Sequence, residues 1–129
     1  MVVVAAVIER DDAFLLTLRP AGTHLADHWE FPGGKVHESE THVEALRREL
    51  FEELDIVARV GELAHIVTHA YPAKTVELHF FHCAISRGEA LALDCEEVRW
   101  VMPDELPDYE FPPADRPLIK ALQRTADSR

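Results

Sequence analysis

One stretch of the sequence, GGKVHESETHVEALRRELFEELDI at positions 33–56, limits the possible structures most. In its second half, apolar residues recur at steps of three and four, which is the period of a helix that packs one side against a core. This apolar stripe consists of Val43, Leu46, Leu50 and Leu54. Ser39 or Thr41 is a suitable N-cap for such a helix. We therefore predict a helix over residues 41–54, packed on a hydrophobic core.

The same helix carries a cluster of glutamates. Glu49 precedes Glu52 by three residues and Glu53 by four, so the three side chains are neighbours on the helix surface. Like charges at these spacings repel each other, and Arg48 offsets only part of the charge. Carboxylate oxygens are the ligands that Mg²⁺ and Mn²⁺ prefer. A solvated acidic surface is the alternative explanation, and the glycine-bearing loop EFPGGK just before the helix favours the metal site over it.

The remaining sequence predicts a mixture of strands and one further helix. Strand-like apolar runs are VVVAAVI, AFLLTLR, IVARVGELAHIVTHAY, TVELHFFHCAI and VRWV. The first two predict a hairpin, residues 20–34 a long loop, PDELP a turn or single helical turn, and residues 114–125 an amphipathic helix with Pro117 in its first turn. No regular alternation of strand and helix is present. We predict one α/β domain over residues 1–129, a sandwich of helices around a mixed sheet.

Composition narrows the functional classes. The formal net charge of −11 argues against an extended basic surface for nucleic acid. The only cysteines, Cys83 and Cys95, form no C-x-x-C pair, which is typical of a reducing compartment. The apolar run at residues 2–8 is too short to span a bilayer. We expect a cytoplasmic protein, monomer or homodimer, that binds neither membrane nor nucleic acid.

The stretch at 33–56 resembles the signature of the Nudix hydrolases, G-x5-E-x7-R-E-U-x-E-E-x-G-U, where U is a bulky aliphatic residue. The matching positions are Gly34, Glu40, Arg48, Glu49, Leu50, Glu52, Glu53 and Ile56. The last glycine of the signature is replaced by Asp55. The segments WEFPGGK, LLTLRPAG and FPPADRPLIKAL are similar to the MutT branch of this family. The resemblance therefore covers nearly the whole chain and implies the Nudix fold, an α/β/α sandwich.

The resemblance also implies an activity and its site. The activity is Mg²⁺-dependent hydrolysis of a nucleoside triphosphate to the monophosphate and pyrophosphate, which serves sanitation of the nucleotide pool and hence DNA repair. Mn²⁺ is a possible substitute. The implied metal ligands are the Gly33 carbonyl, Glu52, Glu53, and Glu49 as ligand or base. Arg48 would orient the glutamates, and Glu40 would support the geometry of loop and helix.

A further carboxylate is expected beside the metals, because some MutT relatives have a glutamate six residues before a tryptophan. Counting back from Trp100 gives Asp94, and Glu96 and Glu97 lie close by as alternatives. All three also fit a solvated loop.

The resemblance assigns nucleotide contacts to Arg19, His24 and Lys74. Phe31 and the FPP at residues 111–113 are candidates for the wall of a base pocket, although aromatic residues are more often core. Asp115 stands where the 8-oxo-dGTP enzymes have asparagine, and a CTP-specific branch also has PAD there. A helix cap is the alternative role for this aspartate.

Two bases therefore remain open, an oxidised purine as in 8-oxo-dGTP or cytosine as in CTP and 5-substituted dCTP. Two other functions are alternatives. One is a nucleotide-binding module without catalysis, and the intact glutamate cluster argues against it. The other is a hydrolase of nucleotide sugars or dinucleoside polyphosphates, which the segments similar to MutT oppose.

Overall fold

The computed structural model describes residues 1–127 of the chain, and its elements follow the predicted order closely. The strands are β1 (Val2–Arg10), β2 (Ala13–Leu18), β3 (Trp29–Glu30), β4 (Gly33–Lys35), β5 (Val57–Tyr71), β6 (Lys74–Arg87) and β7 (Glu97–Val101). The helices are α1 (His42–Leu54) and α2 (Arg116–Asp127), with 3-10 helices at Pro103–Asp108 and Pro113–Asp115. Neither α-helix, within residues 1–127, is long and apolar enough to cross a membrane.

Strand β1 is the centre of a mixed sheet. It pairs in parallel with β6, from Val2 beside Glu77 to Ile8 beside Cys83. It pairs in the antiparallel sense with β4 and, at its end, with β2. Strand β5 continues the sheet beyond β6, and β3 and β7 flank β2. The predicted hairpin of β1 and β2 and the predicted strands β5 to β7 are confirmed.

Two hydrophobic cores lie on opposite faces of this sheet, because successive side chains of a strand point to opposite sides. Val4, Ala6 and Ile8 of β1 belong to the core under α1. Ala5 and Val7 belong to the core that contains residues of α2. Helices therefore cover both faces, and the predicted α/β/α sandwich is confirmed.

Helix α1 begins where the sequence predicts. The Thr41 hydroxyl accepts a hydrogen bond from the Glu44 N–H at 3.1 Å, and the Glu44 carboxylate accepts one from the Thr41 N–H at 2.8 Å. Leu46, Leu50 and Leu54 are fully buried, but Val43 is 42% exposed and does not belong to the core. The inclusion of Val43 in the buried stripe was wrong, because helical period shows which face is apolar and not how far along the helix the sheet extends.

Asp55 ends α1 in a left-handed conformation, with φ of 58°, and its N–H donates to the Phe51 carbonyl at 3.0 Å. This is the geometry expected where the family has glycine.

The segment at 20–34 is not one loop as predicted. It contains β3, which pairs with β2, and β4, which pairs with β1. Strands of two and three residues carry no readable periodicity, so the pattern could not reveal them. Through β4, Gly33 and Gly34 lie beside Ala5 and Val4 in the N-terminal half of β1.

Candidate active site

Arg48 organises the carboxylates of α1. Its Nε and Nη2 donate to the two oxygens of Glu40 at 2.6 and 3.0 Å. Its Nη1 donates to Glu49 at 2.8 Å and to Glu52 at 3.3 Å, and Nη2 also donates to the Lys35 carbonyl at 3.0 Å. One guanidinium therefore joins three glutamates and the Lys35 carbonyl at the end of β4.

Glu40 is held as a carboxylate by this contact. The hydrogen bonds from Arg48, followed by one from the backbone of His37, lower the pKa of Glu40 to about 2. Glu40 lies before α1 and points back to Arg48. This arrangement agrees with a supporting part for Glu40 in the geometry of loop and helix.

Glu53 differs from its neighbours because it points into the protein. It follows Leu46 by seven residues, nearly two helical turns, so both side chains point to the same side of α1. Burial is the largest cause that raises the pKa of Glu53, to about 9, and the charges of Glu49, Glu30 and Asp94 raise it further. Its Oε2 atom is buried and has no hydrogen-bond partner. A buried acceptor without a partner is costly, which is typical of a site built for a ligand.

The two glycines of β4 permit close contacts that a side chain would block. A Cβ atom on Gly33 would collide with the Val4 carbonyl, and one on Gly34 would collide with the Glu49 carboxyl group. A backbone hydrogen bond from Gly33 also reaches Glu53 and lowers its pKa. Strand β4 is therefore packed directly against two of the predicted metal ligands.

The loop between β6 and β7 reaches the same site. The N–H of Leu93 donates to the Glu53 carbonyl at 3.0 Å, which brings the next residue, Asp94, beside the end of α1. The Asp94 carboxylate contributes to the raised pKa of Glu53. The other two candidates have different partners, since Glu96 accepts from the Ala21 N–H at 3.0 Å and Glu97 pairs with Arg99. Asp94 is the one of the three whose charge acts on the cluster.

The carboxylates do not converge as a finished metal site. Across residues 1–127, no three histidine, cysteine, aspartate or glutamate side chains stand together as metal ligands would. Arg48 draws Glu49 and Glu52 to itself, whereas Glu53 faces inward. The donor set nevertheless fits a divalent cation, because it offers several hard oxygens and includes the unpartnered Glu53 Oε2. These residues would hold the cation that the family generally requires.

A cavity of about 560 Å³ opens beside the carboxylates. Its walls come from segments far apart in the sequence, and they include all five predicted substrate residues, Arg19, His24, Phe31, Lys74 and Asp115. Gly33 and Gly34 line it as well. The glycines therefore separate the cavity on one side from Glu49 and Glu53 on the other.

Two carboxyl groups and one arginine are among the polar groups that line this cavity. Arg19 Nη1 donates to both oxygens of Glu30, at 3.1 and 3.2 Å, and its Nε donates to the His24 carbonyl at 2.7 Å. Burial raises the pKa of Glu30 in spite of Arg19. Asp115 is 4% exposed, and burial followed by the charge of Glu30 raises its pKa to about 8. Asp115 is therefore mainly neutral at pH 7, so its carboxyl can both donate and accept a hydrogen bond.

The predicted aromatic wall is mostly core. Phe31 is 3% exposed and packs edge-on against Phe80 and stacked against Phe111. Its ring therefore has little surface to offer a ligand. Pro112, the middle residue of the predicted FPP, lines the cavity, whereas Phe111 is buried in the core.

Sequence reasoning missed several residues of the cavity, and Glu30 and Tyr71 are the two that the proposals below use. Glu30 directly precedes Phe31 in the segment WEFPGGK, and a charge beside a predicted buried aromatic was the available signal. Tyr71 ends the long strand β5, and only its pairing with Lys74 at the hairpin turn brings it to the cavity. No local pattern marks it.

Known proteins resemble this chain over its whole length. The NUDIX domain family matches residues 3–121. The CTP pyrophosphohydrolase of Escherichia coli is 40% identical over 127 residues, covering 98% of this chain and 94% of that protein. The 8-oxo-dGTP diphosphatase of Haemophilus influenzae is 40% identical over 121 residues, covering 92% and 89%. The solution structure of the E. coli ORF135 protein has a TM-score of 0.85 at 39% identity, covering 99% and 91%.

Proposed function

Because this chain belongs to the NUDIX domain family and is a Nudix hydrolase, we propose that it is a MutT-type nucleoside triphosphate pyrophosphohydrolase. The products are the nucleoside monophosphate and pyrophosphate. The first candidate substrate is 8-oxo-dGTP, and the cofactor is Mg²⁺, for which Mn²⁺ can substitute.

One observation carries this proposal: the carboxylate cluster and the cavity share a wall. Gly33 and Gly34 line the cavity, while Glu49 packs against Gly34 and Glu53 receives a hydrogen bond from Gly33. A nucleotide with its base in the cavity would extend its phosphates past the glycines to the carboxylates. This adjacency supports hydrolysis better than binding alone, because a binding module does not need an unpartnered buried carboxylate.

The residues of α1 have distinct parts in this proposal. Glu52, Glu53 and the Gly33 carbonyl hold the cation, and Glu49 is a ligand or the base that takes a proton from water. Arg48 keeps Glu49 and Glu52 in place. When bound, the cation supplies positive charge that offsets the triphosphate and makes water more acidic. Asp94 adds a carboxylate from the opposite loop.

The cavity residues bind the nucleoside. Arg19 is held by Glu30 and the His24 carbonyl, which fixes its guanidinium at the cavity wall. The neutral Asp115 carboxyl offers one donor and one acceptor, as an asparagine amide does. This pattern supports an oxidised guanine, whose edge presents donors and acceptors side by side.

CTP is the second candidate substrate. The relative that covers 98% of this chain carries the name CTP pyrophosphohydrolase. The Glu30 and Asp115 carboxyls would also accept from the exocyclic amine of cytosine.

A substrate panel tests the proposal. The purified protein is given 8-oxo-dGTP, dGTP, CTP and 5-methyl-dCTP, with and without Mg²⁺, and released pyrophosphate is measured. We expect Mg²⁺-dependent release, highest with 8-oxo-dGTP, and an altered order of preference in Asp115→Ala, which lacks the donor and the acceptor that neutral Asp115 offers. Highest turnover of CTP would select the second candidate. No turnover of any nucleotide would contradict the enzyme assignment, and an unchanged preference in Asp115→Ala would return Asp115 to a capping role.

A further inference from the structure

The hairpin of β5 and β6 ends at the mouth of the cavity. Tyr71 is the last residue of β5 and pairs with Lys74, the first residue of β6. Alternation along β5 puts Val67, His69 and Tyr71 on one face of the strand. Tyr71, Lys74 and the two residues between them line the cavity. The ring of Tyr71 therefore faces the cavity from an element that sequence analysis did not connect with it.

Tyr71 is the aromatic residue with ring surface available to a ligand. Of the phenylalanines that line the cavity, Phe31 is 3% exposed and Phe80 is 0% exposed. Both rings pack edge-on against each other in the core. Tyr71 is only half-buried. Among the aromatic rings of Phe, Tyr and Trp that line this cavity, within the described residues, it is the one not committed to core packing.

Two histidines hold the Tyr71 ring in position. His69, two residues earlier on the same face, meets it edge-on at 4.5 Å between centroids. His24, from the segment after β2, meets it edge-on at 6.1 Å. The interplanar angles of 84° with His24 and 63° with His69 show that neither histidine is stacked in parallel on the Tyr71 ring. The place of a parallel stacking partner is therefore not taken by either histidine.

The Tyr71 hydroxyl lies among the polar groups of the cavity. Burial is the first cause that raises its pKa, and the charge of Asp115 is the second. Arg19 and Glu30 also act on it. Tyr71 therefore faces the same space as the three polar residues proposed above to bind the nucleoside, and its phenol stays protonated at neutral pH.

We propose that Tyr71 is a substrate-specificity residue whose ring stacks on the plane of the nucleobase. The inference rests on the proposed function, since it assigns a residue to the base end of the same site. Every base has a π-face, so the ring adds affinity for any base, and a two-ring purine gains more contact than a pyrimidine. The neighbouring Asp115 reads the edge of the base, and Tyr71 covers its face.

Binding without turnover tests this assignment. Affinities of 8-oxo-dGMP and CMP are measured by titration calorimetry for the wild type, Tyr71→Ala and Tyr71→Phe. We expect Tyr71→Ala to weaken binding of 8-oxo-dGMP roughly tenfold and that of CMP less, because stacking on an aromatic side chain is lost. Tyr71→Phe keeps the ring and should lose no more than about threefold.

Controls separate stacking from a structural effect. Thr68→Ala alters an exposed residue on the opposite face of β5 and should bind both monophosphates as the wild type does. Inhibition by ribose 5-phosphate, which has no base, should be equal in the wild type and Tyr71→Ala. In steady-state assays Tyr71→Ala should raise KM and leave kcat little changed.

The outcomes distinguish the two proposals. If the wild type hydrolyses nucleotides and Tyr71→Ala binds both monophosphates normally, the assignment of Tyr71 is wrong and the proposed function stands. Equal weakening of monophosphates and ribose 5-phosphate would also overturn it, in favour of a structural effect. A wild type that neither binds nor hydrolyses any nucleotide would overturn both proposals.

Discussion

Arg48 and Arg19 each bind a glutamate, one at the carboxylate cluster and one in the cavity, but the two pairs behave differently. Two nitrogens of Arg48 donate to Glu40, which also accepts from the His37 N–H at 2.9 Å. Arg19 gives a single nitrogen to Glu30 and uses another on the His24 carbonyl. Three donors therefore face one carboxylate, and one donor faces the other.

The pKa values move in opposite directions as a result. Hydrogen bonds from Arg48 lower the pKa of Glu40 to about 2, whereas burial raises the pKa of Glu30 against the pull of Arg19. An arginine partner therefore does not by itself lower the pKa of a carboxyl group. The number of donors and the depth of burial decide the direction. Arg48 thus favours the charged form of Glu40 beside the cluster, whereas burial disfavours the charged form of Glu30 in the cavity.

The largest effect is expected from Glu53→Gln in the carboxylate cluster. This substitution removes an ionisable oxygen and changes the side-chain volume little. We expect kcat to fall roughly a thousandfold, because a metal ligand is lost. The fold should remain, since burial and the neighbouring charges raise the pKa of Glu53 to about 9, and glutamine then replaces a carboxyl group that is uncharged at pH 7 without a cation. Pyrophosphate release and the melting temperature are measured. Glu38→Gln, at an exposed position before α1, is the matched control, and near-normal activity of Glu53→Gln would refute the ligand assignment.

Replacing each arginine by lysine tests whether the two regions act separately. Lysine has one charged nitrogen and cannot reproduce the contacts of Arg48 to Glu40 and Glu49. We expect Arg48→Lys to lower kcat roughly a hundredfold through misplaced carboxylates. Arg19→Lys should instead raise KM roughly tenfold through lost nucleotide contacts. Steady-state kinetics measure kcat and KM separately. If both variants changed the same one of these constants, the cluster and the cavity would not have separate roles.

Asp115→Asn tests whether the cavity holds Asp115 in its neutral form, through the pH dependence of the protein's stability. The pKa of Asp115 is about 8 in the folded protein, and an aspartate in the unfolded chain has a pKa near about 4. The stability that neutral Asp115 contributes is complete below about pH 4 and is lost as the pH rises to about 8. Asparagine does not titrate. The melting temperature of Asp115→Asn relative to wild type should therefore rise by roughly 10 °C between pH 5 and pH 8.

Asp108→Asn, at an exposed position, controls for the loss of one negative charge. The same pH trend in both variants would mean that Asp115 does not titrate as a buried group.

The smallest effect is expected where neither region is touched, at the end of α1. Asp55 has φ of 58°, which glycine adopts at less cost. Asp55→Gly should leave kcat/KM within about twofold and stabilise the protein by at most about 1 kcal/mol in denaturant unfolding. A large loss of activity would show that the helix end and the carboxylates are coupled.

The two regions also differ in how far the sequence predicts them. The carboxylate cluster comes from one continuous segment, so helical spacing alone makes neighbours of Glu49, Glu52 and Glu53. Sequence reasoning did not predict that a carboxylate oxygen of Glu53 is buried. The seven-residue distance from Leu46, which puts both side chains on the same side of α1, was the available signal. The four-residue spacing of Arg48 and Glu52 indicated one ion pair of this arginine, but no spacing indicated its contacts to Glu40 and Glu49.

The cavity depends on tertiary structure. Arg19, Glu30, Tyr71 and Asp115 come from four separate segments, and only strand pairing and the packing of α2 bring them together. Resemblance supplied Arg19 and Asp115, since a family motif carries information about distant contacts. Nothing in the local pattern could supply Tyr71, and β3 and β4 were too short to be recognised.

The parallel pairing of β1 with β6 governs the order in which the chain can assemble. The paired residues Val2 and Glu77 are 75 positions apart. Closing so long a loop costs conformational entropy before the pairing contributes stability, which slows folding. During synthesis β1 therefore cannot pair with β6 until β6 has left the ribosome. We expect this interval to be the one in which the nascent chain is most prone to aggregate and most dependent on chaperones.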